Sequence, residues 1–488
     1  MTAEAGWASL RDPLLQRASR DSGRLAYVLG QHELTFGELA DRAAVRAGAL
    51  QRRGVGHGSR VAIVLPTGSP LIETFWAAQI LGAVPCILNP EVPQQALNRR
   101  LQTVRPEVVV SGENVAALSE IGGSLSVPEL TGEDVAVLQL TSGTAGEPRA
   151  AMILHRHALA YQRGRQRDGH AVADGVLVNW MPPWHDFGLQ SFLIAAVYFG
   201  VCCYQLEPRI SVMAQWLRTI GEVGGTYTGA PDFAFRVAAR MVDPRRVDLS
   251  SLRIATNGAE PVRWSTIEQF EERFSVPGVV LPAYGLAETT AGVTAHLRGE
   301  DRAVDPRGNV SCGRPIGGIE VQAGTGVDAV EEIRVRGDWV FAGYFDAEAD
   351  TRERLRDGWL HTGDSGYLDA EGRLFVLGRR SALIKRAGGV IAPRELEEAA
   401  QRVPDVRISA ATSIRARRDE DDLVLVVEAR DGVDAARLRR EVSHAVLDAL
   451  GFAPNRVLVV GPRTIPLSET GKIRYGALQD ALRDGVLA

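Results

Sequence analysis

A strand-like segment that runs straight into a loop of hydroxyls and glycines is the strongest constraint in this sequence. Residues 135–140 read VAVLQL and predict a buried strand, and Thr141–Pro148 (TSGTAGEP) follow directly. Backbone N–H groups and hydroxyls that converge in such a loop can hold a polyphosphate. It is not the ATPase P-loop, because Gly143 and Gly146 lack that spacing and no Lys-Ser/Thr pair follows. Taken alone, the loop is also typical of an ordinary turn.

Composition indicates a globular protein of about two or three domains. The chain has 488 residues, of which 45% are hydrophobic and 24% are charged, and its formal net charge is −5. This charge gives no sign of a nucleic-acid partner. The four cysteines form no CxxC pair, so we expect reduced thiols that are buried as small apolar groups.

Neither a membrane span nor a secretion signal is expected. The longest apolar run, Phe192–Tyr204, has 13 residues and is too short to cross a bilayer. Residues Met1–Asp21 include acidic side chains and lack an apolar core, so we do not interpret them as a signal peptide. We therefore predict a cytoplasmic protein with no membrane partner.

Hydrophobic patterns predict an α/β fold. Strand-like residues 61–65 and 84–88 flank a predicted helix at Pro70–Leu81, and this βαβ order implies parallel strands. Apolar runs at 252–255 and 279–281 predict further buried strands.

A second pattern begins near residue 380. Residues 423–427 and 456–460 are strand-like, and Ala435–Ala449 has apolar residues at helical spacing. We predict a large N-terminal domain of mixed or parallel sheets with flanking helices, residues 1–379. A small, mobile α+β C-terminal domain, residues 380–488, would follow it.

Short polar motifs continue along the chain in a fixed order. Each of them, taken singly, is typical of an ordinary loop. In chain order they are Asn257–Pro261 (NGAEP), Tyr284–Thr290 (YGLAETT), Trp359–Tyr367 (WLHTGDSGY), Gly378–Arg379 and Pro466–Arg474 (PLSETGKIR). Their combination with the loop at 141–148 is far more specific than any one motif.

With these motifs, the chain resembles the adenylate-forming superfamily, which includes acyl-CoA synthetases, peptide-synthetase adenylation domains, fatty acyl-AMP ligases and luciferases. The resemblance extends from Leu34–Leu39 (LTFGEL) to the loop that contains Lys472. Within the superfamily, the chain looks most similar to fatty acyl-AMP ligases or stand-alone amino-acid adenylation enzymes. The segments that suggest this include Trp184–Leu189 (WHDFGL) and Val310–Pro315 (VSCGRP).

The resemblance implies a ligase whose cofactors are ATP and Mg²⁺. Such an enzyme activates a carboxylic acid as an acyl adenylate, releases pyrophosphate, and passes the acyl group to the phosphopantetheine thiol of an acyl or peptidyl carrier protein. The substrate would be an amino or β-amino acid, or a fatty or short acyl acid. An acyl-CoA synthetase that uses free CoA is an alternative, and a non-catalytic nucleotide-binding protein is another.

Catalytic roles also follow from the resemblance. Lys472 would bridge the carboxylate and the α-phosphate, where two anions approach and a positioned cation lowers the barrier. Glu288 would bind Mg²⁺, and Thr144 would contact the β- and γ-phosphates. Thr289 would form a hydrogen bond near the α-phosphate. A protein that only binds nucleotide need not keep Lys472, which favours the enzyme.

Nucleotide-binding residues are implied in the same way. Tyr284 would flank the adenine, and Asp364 would accept hydrogen bonds from the ribose hydroxyls with Arg379 beside it. The remaining implied contacts are Thr141, Ser142 and Gly143 for the phosphates, and Asn257, Gly258 and Ala259 for the edge of the adenine.

Four positions depart from the pattern of the superfamily. Arg149 stands where lysine is usual, so that a planar fork replaces a point charge. Ala145 and Ala150 stand where a hydroxyl residue and a glycine are usual. Ser381 occupies the hinge position, where Asp or Lys is usual, and we expect the C-terminal domain still to rotate between the two half-reactions.

Substrate contacts are predicted at His185, Asp186 and Asp232, although Asp186 has the alternative role of anchoring its own loop. Asp232 stands where fatty acyl-AMP ligases usually carry Asn. A carboxylate that faces an apolar tunnel is costly unless it is paired. Its partner would be a substrate ammonium, which indicates an amino acid, or a structural cation such as Arg236; a wet pocket is the other alternative.

Hydrolase and metalloenzyme patterns find little support. His155 and His157 have no third ligand at metal-site spacing, and we expect them at the entry of a helix. No Gly-x-Ser-x-Gly elbow of a hydrolase occurs in the sequence.

Overall fold

The computed structural model describes residues 6–119, 125–142, 147–170, 174–386, 389–415, 421–467 and 473–486. The predicted site residues Gly143, Thr144 and Lys472 lie outside these ranges, and Ser142 is described by its backbone alone. Among the helices in these ranges, none is both long and apolar enough to cross a membrane.

Strands and helices alternate through the described ranges. The strands are β1 (Leu25–Leu29), β2 (His32–Thr35), β3 (Arg60–Val64), β4 (Val84–Ile87), β5 (Val108–Ser111), β6 (Val135–Ser142), β7 (Pro148–Leu154), β8 (Leu177–Asn179), β9 (Cys203–Gln205), β10 (Tyr227–Ala230), β11 (Ile254–Asn257), β12 (Val280–Gly285), β13 (Gly292–Ala295), β14 (Arg314–Pro315), β15 (Ile319–Gln322), β16 (Glu331–Gly337), β17 (Leu355–Arg356), β18 (Trp359–Leu368), β19 (Leu374–Arg379), β20 (Ile384–Arg386), β21 (Gly389–Ile391), β22 (Val406–Arg415), β23 (Asp421–Ala429) and β24 (Arg456–Val460).

Helices lie in about half of the connections between these strands. They are α1 (Arg11–Arg20), α2 (Phe36–Gln51), α3 (Ser69–Leu81), α4 (Gln94–Val104), α5 (His155–Arg167), α6 (Asp186–Gly188), α7 (Ala195–Phe199), α8 (Met213–Val223), α9 (Asp232–Met241), α10 (Trp264–Phe274), α11 (Glu348–Arg354), α12 (Pro393–Gln401), α13 (Ala435–Leu450) and α14 (Tyr475–Arg483). The predicted α/β class is confirmed.

The largest sheet is mixed and has the order β14-β13-β12-β11-β10-β8-β9-β1-β2. Its central strands, from β12 through β10 and β8 to β1, are parallel, whereas β2, β13 and β14 pair antiparallel at its two ends. The strands predicted at 252–255 and 279–281 correspond to β11 and β12, which are neighbours in this sheet. Their carboxyl ends therefore meet at one edge, where ligands commonly bind in open α/β sheets.

The predicted βαβ unit is confirmed in a second sheet. β3 pairs in parallel with β4 and β5. Helix α3 has Pro70 in its first turn and ends at Gly82, whose φ of +64° closes the helix in the left-handed conformation. All residues from Leu71 to Leu81 are buried, which explains why the helix is largely apolar on every side.

The strand predicted ahead of the hydroxyl- and glycine-rich loop is confirmed as β6. It pairs antiparallel with β7, and the register runs from Val135 opposite Leu154 to Ser142 opposite Pro148. The loop therefore joins the two strands of a hairpin, with Thr141 opposite Arg149 at its base.

Residues from 384 onward have apolar clusters of their own. β22, β23 and β24 form a three-stranded sheet, and the predicted strands at 423–427 and 456–460 and the helix between them are confirmed. One cluster fills the space between this sheet, α12 and α13, and another lies under α14. Polar contacts join this segment to the preceding residues: Arg394 of α12 donates to the side chain of Asn309 at 3.0 Å and to the carbonyl of Val262 at 3.2 Å.

Candidate active site

A cleft of about 2140 Å³ lies between the carboxyl ends of β10, β11 and β12 and the C-terminal segment. Of the residues predicted for the site, nine line this cleft: Thr141, His185, Asp186, Gly258, Ala259, Tyr284, Glu288, Asp364 and Arg379. Asn257, Thr289 and Asp232 are fully buried and do not line it. The fold therefore collects most of the predicted residues on one concave surface.

The turn after β11 presents its backbone to the cleft. Ala259 has a φ of +67°, and a side chain at Gly258 would lie only 3.2 Å from the carbonyl oxygen of Ala283. The backbone N–H of Gly258 donates to the carbonyl of Ala230 at 3.2 Å, which fixes the turn to β10. Asn257, one residue earlier, turns inward instead and donates from Nδ2 to Asp232 Oδ1 at 3.2 Å.

A carboxylate, a phenol and a guanidinium form the next part of the site. Asp364 of β18 lies opposite Arg379 of β19, and its Oδ1 is 3.1 Å from Nε of that arginine. The Tyr284 hydroxyl donates to Asp364 Oδ2 at 2.7 Å. Burial and the neighbouring carboxylate raise the pKa of Tyr284 well above its usual value, so the phenol stays protonated and remains a donor. Tyr284 and Arg379 thus hold the Asp364 carboxyl group at the cleft as an acceptor of hydrogen bonds.

Glu288 is placed in the cleft by the short turn that follows β12. Its Oε1 accepts a hydrogen bond from the Tyr344 hydroxyl at 2.6 Å. Burial and this carboxylate raise the pKa of Tyr344. A half-buried carboxylate with oxygens directed at a cleft is the kind of ligand that a hard cation takes.

Thr289 lies in the same turn as Glu288. Its side chain is fully buried, and its hydroxyl donates to the carbonyl of Leu286 at 2.9 Å inside the same turn. The hydroxyl therefore stabilises the turn that carries Glu288 and does not face the cleft.

Arg149, one of the departures from the superfamily's pattern, already has an anionic partner. Its Nη2 lies 2.6 Å from Oδ1 of Asp350 on α11, and its guanidinium carbon is 5.5 Å from the centre of the Tyr344 ring. The side chain thus joins β7 to α11.

The surroundings of Asp232 differ from those expected of a substrate-binding carboxylate. Its side chain has no exposed surface, and its two oxygens accept hydrogen bonds from Asn257 Nδ2 at 3.2 Å, Thr266 Oγ1 at 3.0 Å, and both the backbone N–H (3.1 Å) and Nη1 (3.2 Å) of Arg263. The expected structural partner Arg236 is farther away, at 3.8 Å. Protein donors therefore satisfy this carboxylate without a substrate ammonium, and its principal cation is Arg263.

His185 and Asp186 lie in the cleft beside each other. Nδ1 of His185 is 2.6 Å from Oδ1 of Asp186, and the same carboxylate oxygen accepts the backbone N–H of Phe187 at 2.7 Å. Asp186 thus does anchor its own loop, which was the alternative to a substrate contact. His155 and His157 begin α5 as expected: Nδ1 of each accepts a backbone N–H, from Leu10 at 3.1 Å and from Leu154 at 3.2 Å.

Glu397 and Arg165 are among the cleft residues that were not found from the sequence. Glu397 of α12 accepts hydrogen bonds from the backbone of Ala411 and from the Tyr475 hydroxyl, both at 2.9 Å, and burial raises its pKa to about 7. Arg165 of α5 is a buried cation that faces the same cleft. The spacing of Tyr161 and Arg165, one helical turn apart, is the signal that could have indicated it.

Comparison with known proteins gives matches along most of the chain. A family model described as AMP-binding enzyme matches residues 14–345. The putative ligase Rv1013 of Mycobacterium tuberculosis is 30% identical, with 90% of this chain and 93% of that protein covered. The medium-chain-fatty-acid–[acyl-carrier-protein] ligase JamA of Moorena producens is 26% identical, with 99% of this chain and 96% of that protein covered. A structure from a study of fatty acyl-adenylate ligases from E. coli and L. pneumophila superposes with a TM-score of 0.86 at 25% identity, and 99% of each chain is covered.

Proposed function

The chain belongs to the family of AMP-binding enzymes and is an acyl-adenylate-forming ligase, as its sequence predicts, and we propose that it activates its carboxylic acid with ATP and Mg²⁺ in the cleft described above. The observation that carries this proposal is the grouping of Asp364, Tyr284 and the Gly258–Ala259 turn on one wall. A charged acceptor, an aromatic side chain and an open backbone edge are what ribose and adenine require.

The other proposed roles in the cleft concern the negative charges of the phosphates and of the substrate carboxylate. Glu288 would hold Mg²⁺, because its carboxylate is half-buried in the cleft and hard cations prefer oxygen ligands. Thr141, at the base of the β6–β7 hairpin, lines the same cleft, and it would bind the phosphates together with Ser142, Gly143 and Thr144. Lys472 would neutralise charge between the carboxylate and the α-phosphate, and a cation in that position lowers the barrier to their approach.

We propose that the second half-reaction passes the acyl group to a carrier-protein thiol. Support comes from JamA, whose name gives an acyl carrier protein as acceptor and which this chain matches over nearly its whole length. The four cysteines of the chain are free thiols, and this suits the reducing cytoplasm in which we propose that the enzyme acts.

Residues 1–379 and 380–488 would act as two domains, with Ser381 in the hinge between them. Ser381 is exposed in a turn between β19 and β20. Support comes from the separate apolar clusters of the C-terminal segment and from the polar character of its contacts, such as Arg263 with Glu398 at 3.6 Å. Polar interfaces of this kind permit domain motion more readily than large apolar ones.

ATP–pyrophosphate exchange with fatty, aryl, α-amino and β-amino acids tests the first half-reaction. The chain has two lysines, Lys385 and Lys472, and this provides a matched pair of variants. We expect Lys472→Ala to lose exchange by about 10²–10³-fold or more, as for removal of a preorganised charge, while ATP binding measured by calorimetry stays nearly unchanged. Lys385→Ala should retain exchange.

Two results would contradict the proposal. Near-normal exchange in Lys472→Ala would remove the assigned role of that residue. Absence of exchange with every acid, in a wild-type protein that still binds ATP, would favour a binding-only protein. Thioester formation with carrier protein and with free CoA, measured side by side, decides between the two acceptors.

A further inference from the structure

Arg165 is a buried cation that the proposed chemistry does not use. Arg165 lies on α5, has only 3% of its surface exposed, and lines the cleft. No carboxylate of the described residues lies within 4 Å of its guanidinium, whereas Arg46, another strongly buried arginine, lies 2.7 Å from Glu73. A buried guanidinium without an anion is costly, so its place in a ligand cleft calls for an explanation.

Neutral groups hold this guanidinium in position. Nη1 donates to Gln162 Oε1 at 3.0 Å, and Cζ lies 5.4 Å from the ring centre of Tyr161 and 5.3 Å from that of Tyr227. Aromatic faces attract a guanidinium and fix its plane, but they do not neutralise its charge. Since a guanidinium carries five N–H donors, most of its donors stay available on the side of the cleft.

The surroundings of Arg165 are polar as well as aromatic. The Tyr161 hydroxyl lies 3.2 Å from the Ser191 hydroxyl, and the Tyr227 hydroxyl lies 3.1 Å from that of Thr256. Apart from Gln162, these groups line the same cleft as Arg165. This end of the cleft therefore offers polar groups to a ligand beside the apolar side chain of Ile254, the register partner of Tyr227.

Its position along the sheet sets the distance from the nucleotide. Tyr227 lies opposite Ile254, and Ala230, three residues later in β10, lies opposite Asn257. With a rise of about 3.3 Å per residue, the Cα of Tyr227 lies about 10 Å below the end of β11 that carries the Gly258–Ala259 turn. An acid activated at the strand ends would present its far end to this guanidinium.

We propose that the acid activated by this enzyme carries a second carboxylate, which Arg165 binds at the end of the cleft away from the nucleotide. This rests on the proposed adenylation function and specifies its substrate class as a dicarboxylic acid. A planar carboxylate matches the fork of a guanidinium and can accept two parallel hydrogen bonds from it. Binding of the second carboxylate supplies the anion that the folded protein does not provide.

The test compares straight-chain dicarboxylic acids with monocarboxylic acids of equal carbon number, from short to long chains, in ATP–pyrophosphate exchange. We expect wild-type kcat/KM for the preferred dicarboxylic acid to exceed that for its monocarboxylic partner by at least about tenfold, since a site built for hydrogen bonds rejects an analogue that lacks them. Arg165→Met should abolish or reverse this preference, and Arg165→Lys should retain only part of it. Arg163→Met, on the exposed face of the same helix, is the matched control and should keep the wild-type ratio.

The wild-type comparison decides the matter even where a variant folds poorly. Exchange with monocarboxylic acids and no preferred dicarboxylic acid at any length would overturn the role of Arg165 and leave adenylation intact. An unchanged ratio in folded Arg165→Met would overturn it equally. Absence of exchange with all acids would refute the adenylation function itself, and the inference with it.

Discussion

Asp232→Asn separates a structural carboxylate from a substrate-binding one. The buried carboxylate accepts four hydrogen bonds, two of them from Arg263, whose side chain is only 18% exposed. Removing one partner of a buried ion pair costs about 3–5 kcal/mol, because the other charge is left without compensation. An amide keeps one accepting oxygen, so we expect Asp232→Asn to lose about 3 kcal/mol of unfolding free energy.

Urea unfolding followed by tryptophan fluorescence measures this loss. Asp243→Asn is the matched control: it replaces a carboxylate whose side chain is 32% exposed and pairs with Arg245 just after the same helix, and ion pairs near the surface contribute little. We expect the urea concentration at the midpoint of unfolding to fall for Asp232→Asn and to stay at the wild-type value for the control. The reasoning is refuted if Asp232→Asn is as stable as wild type while KM rises for one amino acid alone and KM for ATP is unchanged. That result would restore the substrate ammonium as its partner.

Two further predictions concern the nucleotide side of the cleft and the C-terminal segment. Asp364→Asn should raise the Kd for AMP by about 10–100-fold in calorimetry, because hydrogen bonds to a charged acceptor are worth about 1.5–3 kcal/mol. Asp369→Asn, just beyond the same strand, is its control. An unchanged Kd in Asp364→Asn would contradict the ribose assignment. Burial raises the pKa of Glu397 from 4.5 to about 7, so the folded state retains a proton that the unfolded chain releases, and stability should fall as pH rises through this window. Glu397→Gln should remove up to about 3 kcal/mol of that pH dependence in urea titrations between pH 4.5 and pH 8. If the unfolding free energy changes equally with pH in the wild type and in Glu397→Gln, this carboxyl group is not the source of the pH dependence.

Local patterns in the sequence predicted much of the fold. The helix at Pro70–Leu81 and its flanking strands are found within one residue of the expected bounds, because a proline at the start, a glycine at the end and apolar runs are all local signals. The strand at 135–140 extends to Ser142, since pairing with β7 continues to the base of the loop. Antiparallel partners of this kind depend on the neighbouring strand, and a single segment does not reveal them.

The sequence motifs did not predict contacts between segments that are distant in the sequence. Tyr284 and Asp364 are 80 residues apart in sequence, yet they share a hydrogen bond, and no local feature predicts that pairing. Thr289 shows the opposite case. Its motif suggests a phosphate contact, but its hydroxyl is used within its own turn. Motifs therefore identified which segments form the cleft more reliably than which atoms face it.

Asp232 illustrates how a buried polar residue can resemble a substrate contact. Its carboxylate joins Asn257, the residue before the Gly258–Ala259 turn, to Arg263, which in turn lies 3.6 Å from Glu398 of α12. The carboxylate thus supports the nucleotide-side turn and an arginine that meets the C-terminal segment, and both contacts are made within the protein, without a substrate. We propose that selection of the substrate depends instead on Arg165, which lines the cleft and has no carboxylate of the described residues within 4 Å.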